Sequence, residues 1–324
     1  MNTNRCLYCY QELPEYELRN ESEKAGFHAG CSRKFFGSPI PPLLPYSEGD
    51  MLKLAEQVVK SQKIVTGVQP KLSLGIEKMK KGETHGRLTI VGLWGEFILK
   101  PASKEYPNLP EIEDLTMHLA EIAKIKTVPH SLIFLQFGEP AYITRRVDRT
   151  AGEKLHMEDM CQLTERLTEH KYRGSHEQIA KAVLKYSANP GLDVINFYEM
   201  VVFSFLTGNS DMHLKNFSLI KNSPSEYNLC PAYDMVASQL VVEGDDEELA
   251  LTLNGKKKKL KTNDFVVAMK SSGISEKSIS NIFTKFEKAL PLWHNFIEIS
   301  FLPKAVKTAY KKLIDAKHKQ LQFN

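Results

Sequence analysis

The period of the apolar residues changes near residue 150, and that change limits the fold more than any other feature of the chain. Before it, "KLSLGIE", "GRLTIVG" and "EFILKPA" alternate or cluster β-formers between Gly- and Lys-rich turns, which predicts an antiparallel sheet of three or more strands. "HSLIFLQF" and "AYITRRV" add two further strands, and "PEIEDLTMHLAEIAKI" sets Ile112, Leu115, Leu119 and Ile122 on one stripe of a helix. After it, "QIAKAVLKYS", "VINFYEMVVFSFLTG", "SISNIFTKFEKALPLWHNFI" and "LPKAVKTAYKKLIDAKHKQL" have mainly helical spacing. The expectation is an α+β protein with a β-rich lobe over 46–147 and a helical lobe over 148–324. Residues 1–45 form an N-terminal extension rich in Cys, aromatics and turn residues. It runs into "GSPIPPLLPYSEGD", whose four prolines favour an extended linker.

With 324 residues, 42% hydrophobic and 25% charged, the chain can bury a sizeable core, and disorder is a poor explanation of it. Its 43 basic and 39 acidic residues leave a net charge of +4, too balanced for a dedicated nucleic-acid binder, so no direct nucleic-acid binding is expected. No apolar run approaches the roughly 18 residues of a membrane span, and "MNTNRCLYCYQEL" lacks the layout of a secretory signal, so a cytoplasmic protein without membrane attachment is expected. Five cysteines, an odd number, suit a reducing compartment with thiols free or on metal. "EGDDEELALTLNGKKKKLK" reads as a solvated hairpin or loop of opposed charge blocks around an Asn-Gly turn.

Polar chemistry is concentrated in "GNSDMHLKN" (208–216), between the apolar runs "FYEMVVFSFLT" and "FSLI". Asp211 is followed five residues later by Asn216, and Asp234 lies 18 positions beyond that in "PAYDMV". Phosphoryl transfer needs this order: an Asp that accepts or orients the substrate hydroxyl, an Asn on metal, and a later Asp holding metal against the nucleotide phosphates. Lys215 can neutralise the transferring phosphate. For His213, a brace within the loop and a contact to phosphate or nucleotide both stay open. Upstream, Lys100 ends an apolar strand where a cation for nucleotide phosphates is needed, and Glu113 on the following helix is its candidate ion-pair partner, with Glu111 and Glu121 as competitors. In "KIVTGVQPKLSLGI", Thr66, Gly67, Val68, Gln69, Pro70 and Lys71 read as a lid over phosphates, although the stretch is neither a Walker A sequence nor a triple-glycine kinase loop.

The set "TGVQPKLSL", "FILKPAS", "LPEIEDLTMHLA", "YITRRVDR", "KLHMEDMCQL", "GNSDMHLKNFSLI" and "CPAYDMVAS" closely resembles the HipA family of bacterial toxin serine/threonine kinases, over roughly residues 50–320. The "GVQPKLS" loop and short length are similar to the HipT-type kinases of three-gene toxin systems. The resemblance implies a two-lobed protein-kinase-like fold with ATP in the cleft and Mg2+ on Asn216 and Asp234. It makes Asp211 the catalytic base, puts Lys100 on the ATP phosphates, and takes Thr66 to Lys71 as the phosphate loop. Arg145, Arg146 and Val147 become the hinge near adenine, and His213 to Asn216 with Tyr233 the remaining nucleotide contacts. It further implies a protein substrate, an aminoacyl-tRNA synthetase phosphorylated on serine with arrest of translation, and two partners: a HipB-like helix-turn-helix antitoxin and a small HipA N-domain-like protein. Where short family members tend to have two autophosphorylated serines, this chain has Ile64 and Thr66, leaving Thr66 as the best acceptor. Other readings of the motif order are a small-molecule kinase and a non-catalytic nucleotide-binding regulator. Retention of Lys100, Asp211 and Asp234 speaks against the second.

In the N-terminal extension, Cys6 and Cys9 form a C-x2-C pair, followed after 18 residues by His28 and Cys31 in "HAGC". Four soft ligands in two pairs match a structural Zn2+ site; free thiols and a surface histidine are the plainer reading. Cys161 and Cys230 read as core residues.

Overall fold

The computed structural model describes residues 4–14, 26–47, 49–51, 53, 71–77, 85–91, 94–102, 105–106, 108–150, 153–223, 226–242, 244 and 246–321. Thr66, Gly67, Val68, Gln69 and Pro70, with Ile64, lie outside the described residues. The chain divides into two compact units. The first comprises Met1–Asp114, Val128–Arg146 and Ile299–Leu302; the second comprises Leu115–Thr127, Val147–Glu298 and Pro303–Asn324.

The first unit is built on a five-stranded sheet of β1 (Leu72–Glu77), β2 (Arg87–Ile90), β3 (Phe97–Pro101), β4 (His130–Phe134) and β5 (Pro140–Arg145). The order is β2-β1-β3-β5-β4 and every neighbouring pair is antiparallel. Alternation in β1 buries Leu72 and Leu74 beside Leu88, Phe97, Leu99 and Ile143, as the period-2 pattern of a half-covered sheet requires. Cys6, Leu7, Leu13, Phe27, Phe35, Phe36 and Leu44 share that core. Helix α1 (Ala29–Phe36) ends on Gly37, whose φ of 82° lets its N–H reach the Arg33 carbonyl. From α1, Phe35 and Phe36 pack on Phe97 at ring separations of 5.7 and 5.9 Å. The proline-rich stretch lies along the sheet edge, where Leu43 exchanges backbone hydrogen bonds with Gly86 and Leu88 beside β2. Proline suits such a place because it has no N–H to give to a ladder.

Helix α2 (Leu109–Ile122) carries residues of both units. The single apolar stripe expected for it is corrected: every residue from Leu109 to Ala120 is buried, Glu111, Glu113, Asp114, Thr116 and His118 among them, while Ile122 is only half-buried. Buried charges of this number need partners.

The second unit is centred on α5 (Pro190–Leu206), which starts with proline at its first position and buries most of its circumference. Around it are α3 (Met160–Leu163), α4 (His176–Tyr186), α6 (Thr262–Ser271), α7 (Glu276–Ile299) and α8 (Lys304–Leu321). Trp293 of α7 is fully buried, packs edge-on against Phe203 of α5 and donates its indole N–H to the Leu119 carbonyl at 2.8 Å. This unit also holds a two-stranded ribbon, β6 (Arg149–Thr150) with β7 (Glu153–Lys154). A three-stranded sheet is formed by β8 (Met157–Asp159), β9 (Ser218–Ser223) and β10 (Glu226–Leu229), in the order β10-β9-β8. The segment read as a solvated hairpin is only partly solvated. Its charges pair with one another, Lys257 with Glu247 and Lys258 with Asp246, while Leu249, Leu251, Leu253 and Leu260 are fully buried. Among the described residues no helix is long and apolar enough to cross a membrane.

Candidate functional site

In the second unit, α5 runs out at Leu206 and the chain turns at Gly208 before entering β9. Gly208 has φ of 69°, a left-handed backbone that favours glycine, and a β-carbon there would also push on the Leu313 side chain, whose Cδ2 would lie 2.6 Å away. The loop is then pinned by side chains. Ser210 bonds through its N–H and hydroxyl to Ser238 Oγ, both at 2.9 Å, and Asn209 Oδ1 accepts the Asp211 N–H at 3.2 Å. Asp211 is left exposed, its backbone carbonyl accepting from the His213 N–H. Its Oδ1 accepts the Tyr172 hydroxyl at 2.6 Å.

Leu214 to Asn216 form one 3-10 turn, with Leu214 fully buried and its N–H bonded to the Lys171 carbonyl. That turn buries Asn216, whose Nδ2 donates to Asp234 Oδ2 at 3.1 Å. Asn216 Oδ1 is buried with no donor among the described residues. Asp234 has φ of 59°, a left-handed conformation that costs a non-glycine residue about 1 kcal/mol or more and is common at ligand-holding positions. An amide oxygen without a donor next to a carboxylate is an oxygen-only ligand pair of the kind that hard divalent cations take, so Mg2+ fits here.

Lys215 donates to Asp159 Oδ2 at 2.6 Å, while Asp159 Oδ1 caps α3 by accepting the Gln162 N–H. Tyr233 donates from its hydroxyl to the Lys215 carbonyl at 3.0 Å and is also bonded to Ser218. Burial pushes the His213 imidazole down to about 4, against the opposing pull of Asp211, so the ring is neutral near pH 7. Its N–H and carbonyl belong to the turn, and the ring stands edge-on to Tyr172 at 5.1 Å with Nδ1 lacking a partner among the described residues. Whatever bracing the ring gives is thus aromatic packing.

In the first unit, Lys100 of β3 and Glu113 of α2 form a buried ion pair, 4% and 1% exposed, and the ammonium lies 5.3 Å from the centre of the Tyr142 ring. The competing acids are engaged elsewhere. Glu111 accepts from Asn108 Nδ2, and Glu121, in the other unit, accepts from Thr127. Asp114, next to Glu113, accepts from Tyr10 and His130, each at 2.7 Å. Arg145 closes β5 opposite Phe97, Arg146 donates its N–H to the Glu96 carbonyl, and the chain passes into the second unit at Val147. Lys71 stands exposed immediately before β1. The ligand atoms of Cys6, Cys9, His28 and Cys31 all lie within 4.8 Å of one another.

Sequence reasoning missed Tyr172 and the Asp159 partner of Lys215. The role of Asp159 as a helix cap was within reach, because the D-x-x-Q of "DMCQ" has the spacing of a capping box, and both of its reciprocal bonds are present. Nothing in the sequence spacing points to Tyr172, 39 residues from Asp211.

Comparison with known proteins gives the family and the fold. The family model described as the HipA-like C-terminal domain matches residues 64–293. A provisionally named kinase of Haemophilus influenzae is 28% identical over 246 residues, covering 72% of this chain and 68% of the relative. A second provisionally named kinase, Y4dM of Sinorhizobium fredii, is 35% identical over 196 residues, covering 56% of this chain and 46% of the relative, so the match spans about half of that protein. Among solved structures, HipA of the Shewanella oneidensis MR-1 toxin–antitoxin system, in complex with HipB and operator DNA, aligns with a TM-score of 0.66 at 20% identity, covering 82% of this chain and 70% of that one. The proinflammatory kinase CtkA of Helicobacter pylori aligns with a TM-score of 0.53 at 16% identity, covering 77% and 93%. These two structures establish an α+β, two-lobed, protein-kinase-like fold. With the family match running over more than half of its length, the chain belongs to the family of the HipA-like C-terminal domain.

Proposed function

We propose that the chain is an ATP- and magnesium-dependent serine/threonine protein kinase acting as the toxin of a toxin–antitoxin system. The observation that carries this reading is the Asn216–Asp234 pair, in which a buried amide oxygen without a donor sits beside a carboxylate held in a left-handed backbone. Magnesium bound there supplies the charge that neutralises the nucleotide phosphates.

The chain's own groups do the rest. Asp211 accepts the proton of the substrate hydroxyl as that oxygen attacks the terminal phosphorus of ATP, the bond from that phosphorus to the bridging oxygen breaks and ADP leaves with its electron pair; Tyr172 fixes the carboxylate by holding Oδ1. Lys215, steadied by Asp159, stabilises negative charge beside Asp211. Lys100, held by Glu113, is the cation for the nucleotide phosphates, and Thr66 to Lys71, Arg145 to Val147, His213 and Tyr233 complete the nucleotide contacts.

The relatives named as kinases support the activity, and the HipA complex with HipB supports a HipB-like antitoxin as partner. An aminoacyl-tRNA synthetase as substrate, a small HipA N-domain-like protein as second partner and a HipT-type grouping rest on the motif resemblance. The test is phosphoproteomics of cells expressing the wild-type chain against Asp211→Gln. Synthetase phosphoserine that appears only with the wild type is the expected result. A variant as toxic and as active as the wild type overturns the reading.

A further inference from the structure

Cys6, Cys9, His28 and Cys31 belong to a segment that the phosphotransfer reading does not use, yet it is tied to the residue beside Glu113. Three observations on this cluster are independent of the sequence spacing. The distances suit a metal: His28 Nδ1 lies 3.4 Å from Cys9 Sγ and 3.8 Å from Cys31 Sγ. A tetrahedral zinc with ordinary Zn–S and Zn–N bonds sets its ligands about 3.5–3.8 Å apart. The histidine is also oriented for the task. Its Nε2–H donates to the Glu12 carbonyl at 3.0 Å, which leaves Nδ1 as the bare nitrogen turned toward the sulfurs. Although His28 occupies the N-cap of α1, its side chain makes no cap bond, so the ring is committed to the cluster rather than to the helix. Finally, Cys6 Sγ accepts the His28 N–H at 3.4 Å, the kind of outer bond that steadies a metal-bound thiolate.

The same turn leads directly into the helix of the ion pair. Tyr10, one residue past Cys9, closes the turn with its N–H on the Cys6 carbonyl at 2.9 Å and takes φ of 64°. A tyrosine tolerates that backbone only when its surroundings over-determine it. Its ring is fully buried, edge-on to Phe301 at 4.7 Å, and its hydroxyl donates to Asp114 Oδ2 at 2.7 Å. Asp114 is fully buried, with Oδ1 on His130 Nδ1, and it adjoins Glu113, the partner of Lys100. Every residue in this chain of contacts lies in the first unit.

We propose that Cys6, Cys9, His28 and Cys31 bind one zinc ion, and that the metal-held turn fixes, through Tyr10 and Asp114, the helix that presents Glu113 to Lys100. Binding releases the protons of the three thiols to solvent and gives a closed four-ligand site with no position left for substrate. Zinc is therefore structural, and its effect on phosphotransfer is indirect. Only that last link rests on the kinase reading; metal binding and the ordering of the helix do not.

The test measures metal and helix separately from activity. Full-length protein purified with zinc supplementation is assayed for zinc by elemental analysis, and after exchange into cobalt for the absorption of a tetrahedral thiolate site. One metal per chain is expected, and Cys9→Ser combined with Cys31→Ser should lose it. Hydrogen exchange of residues 109–122 is then followed in wild type, in chelator-treated protein and in Tyr10→Phe. Metal removal should speed exchange there about tenfold, and Tyr10→Phe should do the same with zinc retained, since a hydrogen bond to a buried carboxylate is gone. Absence of zinc overturns the proposal, as does exchange in 109–122 that is unchanged in Tyr10→Phe. Asp211→Asn sets the two readings apart: full activity in that variant sinks the kinase reading while zinc content and exchange still decide this one.

Discussion

Asn216 and Asp234 meet at 3.1 Å through the amide nitrogen of one and a carboxylate oxygen of the other, which leaves the Asn216 amide oxygen buried without a donor among the described residues. An unsatisfied buried acceptor costs about 1–3 kcal/mol, and a divalent cation removes that cost. Asn216→Ala should therefore lower magnesium-dependent phosphotransfer by about a hundredfold or more while changing stability little, because the orphaned oxygen and the Nδ2 bond to Asp234 go together and offset each other. Magnesium titration of ATP turnover and urea unfolding read the two effects. A variant whose magnesium dependence is unchanged contradicts the assignment.

The Lys100–Glu113 pair gives a prediction of opposite sign for stability. Both groups are almost wholly buried, and removing one takes from the other its buried counter-charge. Lys100→Met should cost about 3–5 kcal/mol, whereas Lys100→Met with Glu113→Leu should recover most of it. Neither should transfer phosphate. Urea melts of the four members of this double-mutant cycle test the prediction, and simple additivity of the two single changes rejects it.

Tyr172 is placed to orient Asp211 through one 2.6 Å bond to an exposed carboxylate. Tyr172→Phe keeps the ring against His213 and deletes only the donor. The expected result is a fall of about tenfold in kcat with KM for ATP unchanged and stability within about 0.5 kcal/mol. Steady-state kinetics decide it; a change confined to KM would place Tyr172 on the nucleotide instead.

Two buried histidines make the second unit acid-sensitive. Burial lowers His213 to about 4 and His176 to about 3, the latter fully buried between Phe197 and Phe217. The folded state keeps both neutral, while the unfolded chain takes up protons below about pH 6.5. Their contribution is thus complete above that pH and is lost as pH falls toward the folded values, by about 2–3 kcal/mol per histidine at pH 4.5. Carboxylates add to acid lability, so the informative quantity is a difference. His176→Phe should lose less stability than wild type between pH 7 and 4.5, measured by urea midpoints, and an equal loss in both proteins rules the histidine out.

Much of the fold was legible in the sequence because it depends on near neighbours in the chain. Five strands before residue 150 could be read from alternation, since each side chain's face is set by its position in the pleat. The small sheet of β8, β9 and β10 was harder: its strands are short, and β8 precedes β9 by more than 50 residues. Helix α2 defeated the stripe reading because helical period reveals one apolar face, while enclosure on all sides depends on what the rest of the chain brings to it. Of the candidate site residues, Asp211, Lys215 and Asn216 stood out because their polar run interrupts an apolar context.

The sequence by itself determined the order of a β-rich part and a helical part, the loop after α5 and the pairing of Cys and His at ligand spacing. Only the tertiary structure decided which of three acids meets Lys100, that Tyr172 rests on Asp211 and that Asp159 holds Lys215. It alone joined Tyr10 to Asp114 across 104 residues. The physical reason is range. Period, turn chemistry and capping act over a few residues and are written in local composition, whereas a side-chain pair far apart in sequence exists only once packing has placed two backbones within reach.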